Sequence, residues 1–205
     1  MFSTPKFKRL RSKKDLQEFS NHYCKASGLP IPKSYLENPI NYVFGIYLSK
    51  QLIGGFILGN STAFRTLDFF ASKSNQPNIQ EQLGQLEAYT EICCFFIDRK
   101  FRTNTRFNFF VWLTMTYALK RYGKKYFLFG TCSRSLARLY AKTPKSIPIH
   151  EDFIEGKATF IFKARRNKCV HGMLEIMGYK FRRRLALKKQ KRKFSTIYSF
   201  FKIMG

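Results

Sequence analysis

The chain has 205 residues and a formal net charge of +26, from 38 Lys and Arg against 12 Asp and Glu. Hydrophobic residues make up 44% of the chain and include 23 phenylalanines, which excludes a disordered basic protein. So positive a chain attracts polyanions, and the partners it favours are nucleic acid, an anionic membrane surface, an acidic carrier protein or a phosphate-bearing cofactor.

The hydrophobic pattern predicts a succession of helices and strands. It contains no apolar run of the roughly 20 residues that a membrane span requires and no signal-peptide core, so we expect a cytoplasmic protein. The elements form an α+β fold in one domain over 1–178. In chain order they are a helix over 15–27, strands over 41–48 and 51–58, a loop over 72–78, a strand over 86–97, a helix over 106–121, a strand over 125–129, a helix over 133–142 and a strand over 157–163.

A basic segment follows this domain over 179–205, and nine of the fifteen residues from 179 to 193 are Lys or Arg. Such a segment suits binding to RNA or DNA, or attachment to an anionic membrane, and a solvated extension is the plain alternative. A basic RNA- or DNA-binding protein without catalysis is therefore the rival hypothesis. No sequence signature of a known nucleic-acid-binding module supports it.

Five cysteines are scattered along the chain, and none of them forms a C-x-x-C pair. This distribution predicts free thiols and no metal site. Cys93 and Cys94 are adjacent on a predicted strand without a histidine beside them. Strand thiols of this kind are more often small buried hydrophobic residues than nucleophiles.

The region from 86 to 123 combines a strand, a basic loop and a helix. Four cationic side chains lie between 99 and 106, and Asn104 or Thr105 can cap the helix. A helix N-terminus offers backbone N–H groups and a partial positive charge to an anion. The arrangement suits a phosphate group, and a solvated basic loop is the alternative.

The same residues resemble a motif of the GNAT (Gcn5-related N-acetyltransferase) superfamily, in which an aliphatic-Asp pair ends a strand before R/Q-x-x-G-x-G/A and a helix. Here Ile97-Asp98 and three further residues precede Arg102, while Thr105 and Phe107 stand at the glycine positions. The resemblance implies a mixed, mainly antiparallel central sheet flanked by helices. It also implies that the donor contacts Phe95, Phe96 and Ile97 through its pantetheine, and Arg102, Thr103, Asn104, Thr105, Arg106 and Phe107 through its phosphate.

Two residues are candidates for catalysis. Residues 133–140 resemble the superfamily's N-x-x-A-x-x-x-Y helix, which implies that Tyr140 lies beside the thioester sulfur and protonates the departing thiolate. The resemblance also implies a base glutamate on the strand over 86–97, with Glu91 preferred to Glu87. Both are expected on one side of that strand because they lie four residues apart. The structural alternatives are a core aromatic and an exposed strand glutamate.

The donor that the resemblance implies is acyl-CoA or an acyl-phosphopantetheine on a carrier protein. Glycine lets the backbone approach a pyrophosphate closely, so Thr105 and Phe107 favour the carrier-protein donor, whose pantetheine bears one phosphodiester. An acidic carrier also fits the charge of +26.

Glycine-poor branches of the superfamily move long acyl chains, as autoinducer synthases, acyl amino acid synthases and peptide-lipidating enzymes do. This likeness implies an N-acyltransferase that moves a fatty acyl group to an amine. Pairs of phenylalanines line an acyl tunnel or belong to the core. The acceptor stays open between a free amino acid, a peptide side chain and an amino lipid headgroup.

Overall fold

A computed structural model describes residues 5–141, 146–172, 174, 175 and 178, and the predicted basic segment over 179–205 lies outside them. Within these ranges no helix is long and apolar enough to cross a bilayer. The elements in chain order are β1 Lys6–Leu10, α1 Lys13–Ser27, α2 Lys33–Leu36, β2 Tyr42–Leu48, β3 Gln51–Gly59, α3 Arg65–Phe70, α4 Gln76–Leu83, β4 Tyr89–Ile97, α5 Thr105–Tyr122, β5 Tyr126–Thr131, α6 Arg134–Ala141, β6 Ser146–Ile154 and β7 Lys157–Arg165.

The strands form a seven-stranded sheet in the order β1-β2-β3-β4-β5-β7-β6. Neighbouring strands are antiparallel except β4 and β5, which run parallel. A parallel pair needs a crossover connection, and α5 provides it. The predicted α+β fold, with a mixed, mainly antiparallel sheet flanked by helices, is confirmed.

Helices cover both faces of the sheet because side chains alternate along each strand. Phe96 of β4 packs with Phe19 on the face that α1 covers, with ring centroids 5.4 Å apart. The next residue, Ile97, belongs to the opposite core, where it clusters with Val111 of α5. Strand β4 is therefore an inner strand with a helix on either side.

Short local signals set the ends of the two long helices. Ser12 accepts a hydrogen bond from the backbone N–H of Asp15 and caps α1, which ends at Gly28 in the left-handed conformation. Asn104 caps α5 by accepting from the backbone N–H of Phe107. The predicted cap at Asn104 is confirmed.

Two parts of the predicted pattern were wrong. The strand over 86–97 begins only at Tyr89, because residues 86–88 form a 3-10 turn. Glu87 is exposed on that turn and does not share a strand face with Glu91. The loop over 72–78 already contains the first turn of α4. β-Forming composition does not separate a strand from the turn that leads into it.

Candidate active site

The sheet opens at its parallel pair. Strands β4 and β5 pair only over residues 89–92 and 126–129. Past that point β4 follows β3 as far as Ile97, while β5 follows β7 as far as Thr131. Residues 93–97 of β4, here called the free edge, therefore have no strand on the β5 side among the described residues. Their backbone groups on that side are available to an extended ligand.

A β-bulge lies on the free edge. Between the pairs Gly55–Phe96 and Ile57–Cys93, β4 uses one residue more than β3. Cys94 adopts a φ of 51°, in the left-handed region that non-glycine residues seldom occupy. Strained backbone of this kind clusters at functional sites, so the bulge makes the free edge a candidate for ligand contact.

The opening continues into a cleft of about 530 Å³, which the free edge borders. Gly130 of β5 stands on the opposite side, and glycine is required there because a Cβ atom would overlap the ring of Phe70. Cys93 and Cys94 both border the cleft, and Cys94 is buried in the α1 core with Cys93 packed against that core, as expected of small hydrophobic residues. Helices α3, α5 and α6 contribute further lining residues: Arg65, Phe69, Asn108, Trp112, Leu136 and Tyr140.

The basic loop before α5 lies at the Ile97 end of the cleft. Arg102 lines the cleft, and its Nε donates to the carbonyl of Ile97 at 2.8 Å, which fixes the guanidinium beside the strand end. The backbone N–H of Phe107 donates to the Asn104 side chain at 3.1 Å, and the Phe107 side chain is buried against Phe101. The N–H of Phe107 is thus occupied and its ring belongs to the core, and the expected phosphate contact of this residue stays a prediction.

The other residues that were predicted to contact the donor also differ in whether they face the cleft. Phe95 is 46% exposed and lines the cleft together with Ile97. Phe96 borders the cleft but directs its ring into the α1 core. Thr103 is exposed on the loop, and the side chains of residues 105 and 106 lie outside the described part. Pairing of pantetheine with this strand stays a prediction.

Tyr140 lies on the last turn of α6 and lines the cleft. It is 8% exposed, and its ring packs edge-on against Trp112, Phe129 and Phe162, with centroids at most 6.1 Å away. Burial raises the pKa of the Tyr140 phenol, so it keeps its proton at neutral pH. The structure therefore brings a protonated hydroxyl group to the cleft, and its part in catalysis stays a prediction.

Glu91 is fully buried and is not among the residues that line the cleft. Its carboxylate accepts from the Tyr35 hydroxyl at 2.5 Å, the backbone N–H groups of Arg65 and Thr66 at 3.0 and 2.8 Å, and the Thr66 hydroxyl at 2.8 Å. Burial raises the pKa of Glu91, and these hydrogen bonds oppose the rise. Because Phe64 gives α3 no side-chain cap, Glu91 caps that helix across the fold. The geometry favours this anchoring function, and the predicted base function stays a prediction.

The comparisons with known proteins rest on structure, because the sequence matches no protein-family model and no curated protein. The N-acyl amino acid synthase FeeM from uncultured soil microbes is 15% identical with a TM-score of 0.59, over 82% of this chain and 93% of FeeM. The AHL synthase LasI is 11% identical with a TM-score of 0.60, over 80% of this chain and 91% of LasI. The CoA-dependent acyl-homoserine lactone synthase MesI is 12% identical with a TM-score of 0.59, over 85% of this chain and 95% of MesI. All three are GNAT-fold proteins. This chain has the GNAT fold.

A second, apolar pocket of about 120 Å³ adjoins the cleft. Trp112 and Tyr140 line both spaces. The pocket extends beneath α5, where it is lined by Met115, Leu119 and Phe127. Its lining is mainly hydrocarbon, which suits an alkyl chain rather than a polar group.

Arg65 is a cleft residue that the sequence analysis did not single out. It is the first residue of α3, is 5% exposed and lines the cleft. A hydrogen bond with Cys93, and then the charge of Arg65, lower the pKa of the Cys94 thiol, which places the guanidinium near the bulge. Only the tertiary structure reveals this position, because Arg65 reaches the site through a helix that is anchored on Glu91.

Proposed function

We propose that the chain is an N-acyltransferase that moves an acyl group from a pantetheine thioester to an amine. The observation that carries the proposal is the free edge of β4, which borders a cleft with a cation at one end and a buried phenol at its side. A pantetheine arm is extended and contains amide groups, so it can hydrogen-bond to a strand edge as an added strand does. The likeness to the fold of an N-acyl amino acid synthase supports this chemistry.

The donor is expected to lie along the free edge with its phosphate at Arg102 and its thioester near Tyr140. The amine nitrogen attacks the thioester carbonyl carbon, a C–N bond forms and the C–S bond breaks. The Tyr140 hydroxyl gives its proton to the departing sulfur, and the proton lost from nitrogen restores the phenol. The neutral state of the Tyr140 phenol supports this assignment.

The acceptor amine needs to lose its proton before it attacks. Arg65 and Arg102 line the cleft, and positive charge nearby lowers the pKa of an amine that enters. This field reduces the demand for a strong general base. Glu91 is the base that the GNAT resemblance implies, but its carboxylate is saturated with hydrogen bonds.

We propose further that a carrier-protein thioester is preferred to acyl-CoA. The backbone N–H of Phe107, which stands at a glycine position of the GNAT motif, is bonded to Asn104 and is not free for a pyrophosphate. The chain's net charge of +26 favours an acidic carrier. An acyl carrier protein presents a single phosphodiester, for which Arg102 is the candidate contact.

We expect Asn104→Gly to shift donor preference towards acyl-CoA by several-fold. Glycine at a helix N-cap costs only a few tenths of a kcal/mol, and it releases the Phe107 N–H for a second phosphate. The measurement is kcat/KM for acyl-CoA and for the matching acyl carrier protein, with Thr103→Gly as the neighbouring loop control. Wild-type preference for acyl-CoA over the carrier thioester would contradict the donor proposal.

We propose that the pocket beneath α5 holds the acyl chain. Met115→Phe adds bulk to its lining, and we expect kcat/KM for long acyl donors to fall by about 10-fold or more while short donors change little. Leu113→Phe is the matched control, because Leu113 lies on the exposed side of the same helix. Equal losses for short and long donors would show that the pocket does not hold the chain.

Thiol release tests the proposed function directly. The purified chain is incubated with acyl-CoA and acyl carrier protein donors of several chain lengths and a panel of amines, and the products are identified by mass spectrometry. We expect amide products that form only when donor and amine are both present. If the chain released no thiol from any donor and bound RNA or DNA tightly in a salt-sensitive way, the hypothesis of a non-catalytic nucleic-acid-binding protein would replace the enzyme hypothesis.

A further inference from the structure

Arg65 is a buried cation that faces the cleft without a carboxylate partner. Its Nη2 donates to the carbonyl of Pro30 at 3.0 Å, and its Cζ lies 4.8 Å from the centroid of the Phe69 ring. Its Nε is buried and has no hydrogen-bond partner within the described part of the chain. The guanidinium is thus oriented by the protein but not saturated by it.

A buried guanidinium without a carboxylate is costly, so proteins seldom keep one that has no use. Glu91 bonds to the backbone N–H of Arg65, and its other hydrogen bonds come from Tyr35 and Thr66. None of the ion pairs between described residues involves Arg65. Arg65 therefore has no carboxylate partner among the described residues, and the protein group on which its charge acts is the Cys94 thiol, whose pKa it lowers after the larger effect of a hydrogen bond with Cys93.

The charge of the residues that line the cleft indicates which acceptors it favours. The described lining residues include two arginines and no Asp or Glu. Arg102 is fixed at the Ile97 end of the free edge, and Arg65 lies where α3 begins against Glu91. Such a cleft disfavours an acceptor with a second ammonium group and favours one with a negative group. The donor phosphate accounts for Arg102 but not for Arg65.

We propose that Arg65 binds the carboxylate of the acceptor, and that the acceptor is a free amino acid. This inference rests on the proposed function and names its substrate class. A guanidinium binds a carboxylate through paired N–H donors, which fixes both the position and the direction of the amine attached one carbon away. Phe69 and Leu29 also line the cleft, so an apolar side chain is favoured.

The carboxylate takes no part in bond making. It holds the amine nitrogen towards the thioester carbonyl, where the C–N bond forms as the C–S bond breaks and Tyr140 protonates the sulfur. An amine without the carboxylate has the same nucleophile but leaves Arg65 unpaired in a buried site. Arg65 therefore raises kcat/KM for amino acids specifically.

Paired acceptors test the inference in the wild-type chain. Leucine is compared with isoamylamine, and phenylalanine with phenethylamine, at one saturating acyl donor. We expect kcat/KM to be on the order of 100-fold higher for each amino acid than for its decarboxylated partner. Phosphoethanolamine and spermidine are included as anionic and polycationic alternatives, and both are expected to be poor acceptors.

Variants of Arg65 show whether that preference comes from the guanidinium. Arg65→Gln is expected to remove the preference for amino acids, so that the ratio of kcat/KM for each amino acid to kcat/KM for its decarboxylated partner falls to within about 3-fold of one. Arg65→Lys should restore part of it, because a point charge remains but the paired donors do not. Arg102→Gln is the matched control, and it should raise the donor KM while the amino acid preference persists. Thermal unfolding checks that each variant folds. If Arg65→Gln does not fold, the comparison of amino acids with their decarboxylated partners in the wild-type chain still tests the inference.

The outcomes separate this inference from the proposed function. Equal rates for an amino acid and its decarboxylated partner, or a preference for phosphoethanolamine or spermidine, overturn the inference and leave the N-acyltransferase intact. An amino acid preference that persists in folded Arg65→Gln overturns the assignment of the carboxylate contact to Arg65. Absence of transfer to every amine overturns the proposed function and the inference with it.

Discussion

Replacing Tyr140 with phenylalanine is expected to lower kcat about 100-fold and to leave the KM for the donor nearly unchanged. The ring keeps its contacts with Trp112, Phe129 and Phe162, so the change removes only the hydroxyl group. The leaving thiolate then loses Tyr140 as its proton donor. Because burial raises the pKa of Tyr140, the phenol stays protonated well into the alkaline range, and we expect no loss of wild-type rate from its ionisation below about pH 10.

Steady-state thiol release across a pH series is the measurement for this prediction. Tyr117→Phe is the control, because Tyr117 lies on α5 with 56% of its surface exposed. Full activity of Tyr140→Phe would make Tyr140 a core aromatic residue and remove it from the mechanism. A rise in donor KM with unchanged kcat would mean that the hydroxyl binds the donor instead of acting as an acid.

Glu91→Gln is expected to lower the free energy of unfolding by about 2–4 kcal/mol, or Tm by roughly 5–15 °C. Each carboxylate oxygen of Glu91 accepts from a backbone N–H, one from Arg65 and one from Thr66. Whichever way the glutamine amide turns, its NH₂ group meets one of these fixed donors. The start of α3 then loses its cap, and Arg65 loses its orientation in the cleft.

Thermal and denaturant unfolding test this prediction, with exposed Glu87→Gln as the matched control. Burial raises the folded-state pKa of Glu91, so its contribution to wild-type stability falls as pH rises from about 4.5 through that raised value. Glutamine does not titrate, so the stability gap should narrow with rising pH. A variant with unchanged Tm but a large loss of kcat would contradict anchoring and support Glu91 as the base.

Local signals in the sequence were sufficient for part of the site. The helix that begins after Asn104 and the cation Arg102 beside the strand end follow from capping preference and from residues adjacent in the chain. The position of Tyr140 depends on helical spacing within α6. These features need only a few neighbouring residues, so they can be predicted without tertiary contacts.

The rest of the site depends on contacts between distant residues. Arg65 and Glu91 are 26 positions apart, and their hydrogen bond brings α3 to the cleft. The divergence of β4 and β5 depends on how far each strand follows its other neighbour, β3 or β7. Composition does not show that Glu91 would be enclosed by Tyr35 and Thr66 rather than exposed to a substrate.

The free edge of β4 also bears on how copies of the chain can associate. An unpaired edge inside a sheet can accept an extended polypeptide, including a strand from another copy of the chain. This edge is only five residues long, and rings such as Phe70, Trp112 and Tyr140 border the cleft beside it. Short edges are one of the means by which sheets avoid edge-to-edge pairing. We therefore expect the gap in the sheet to offer little to a strand from a second copy.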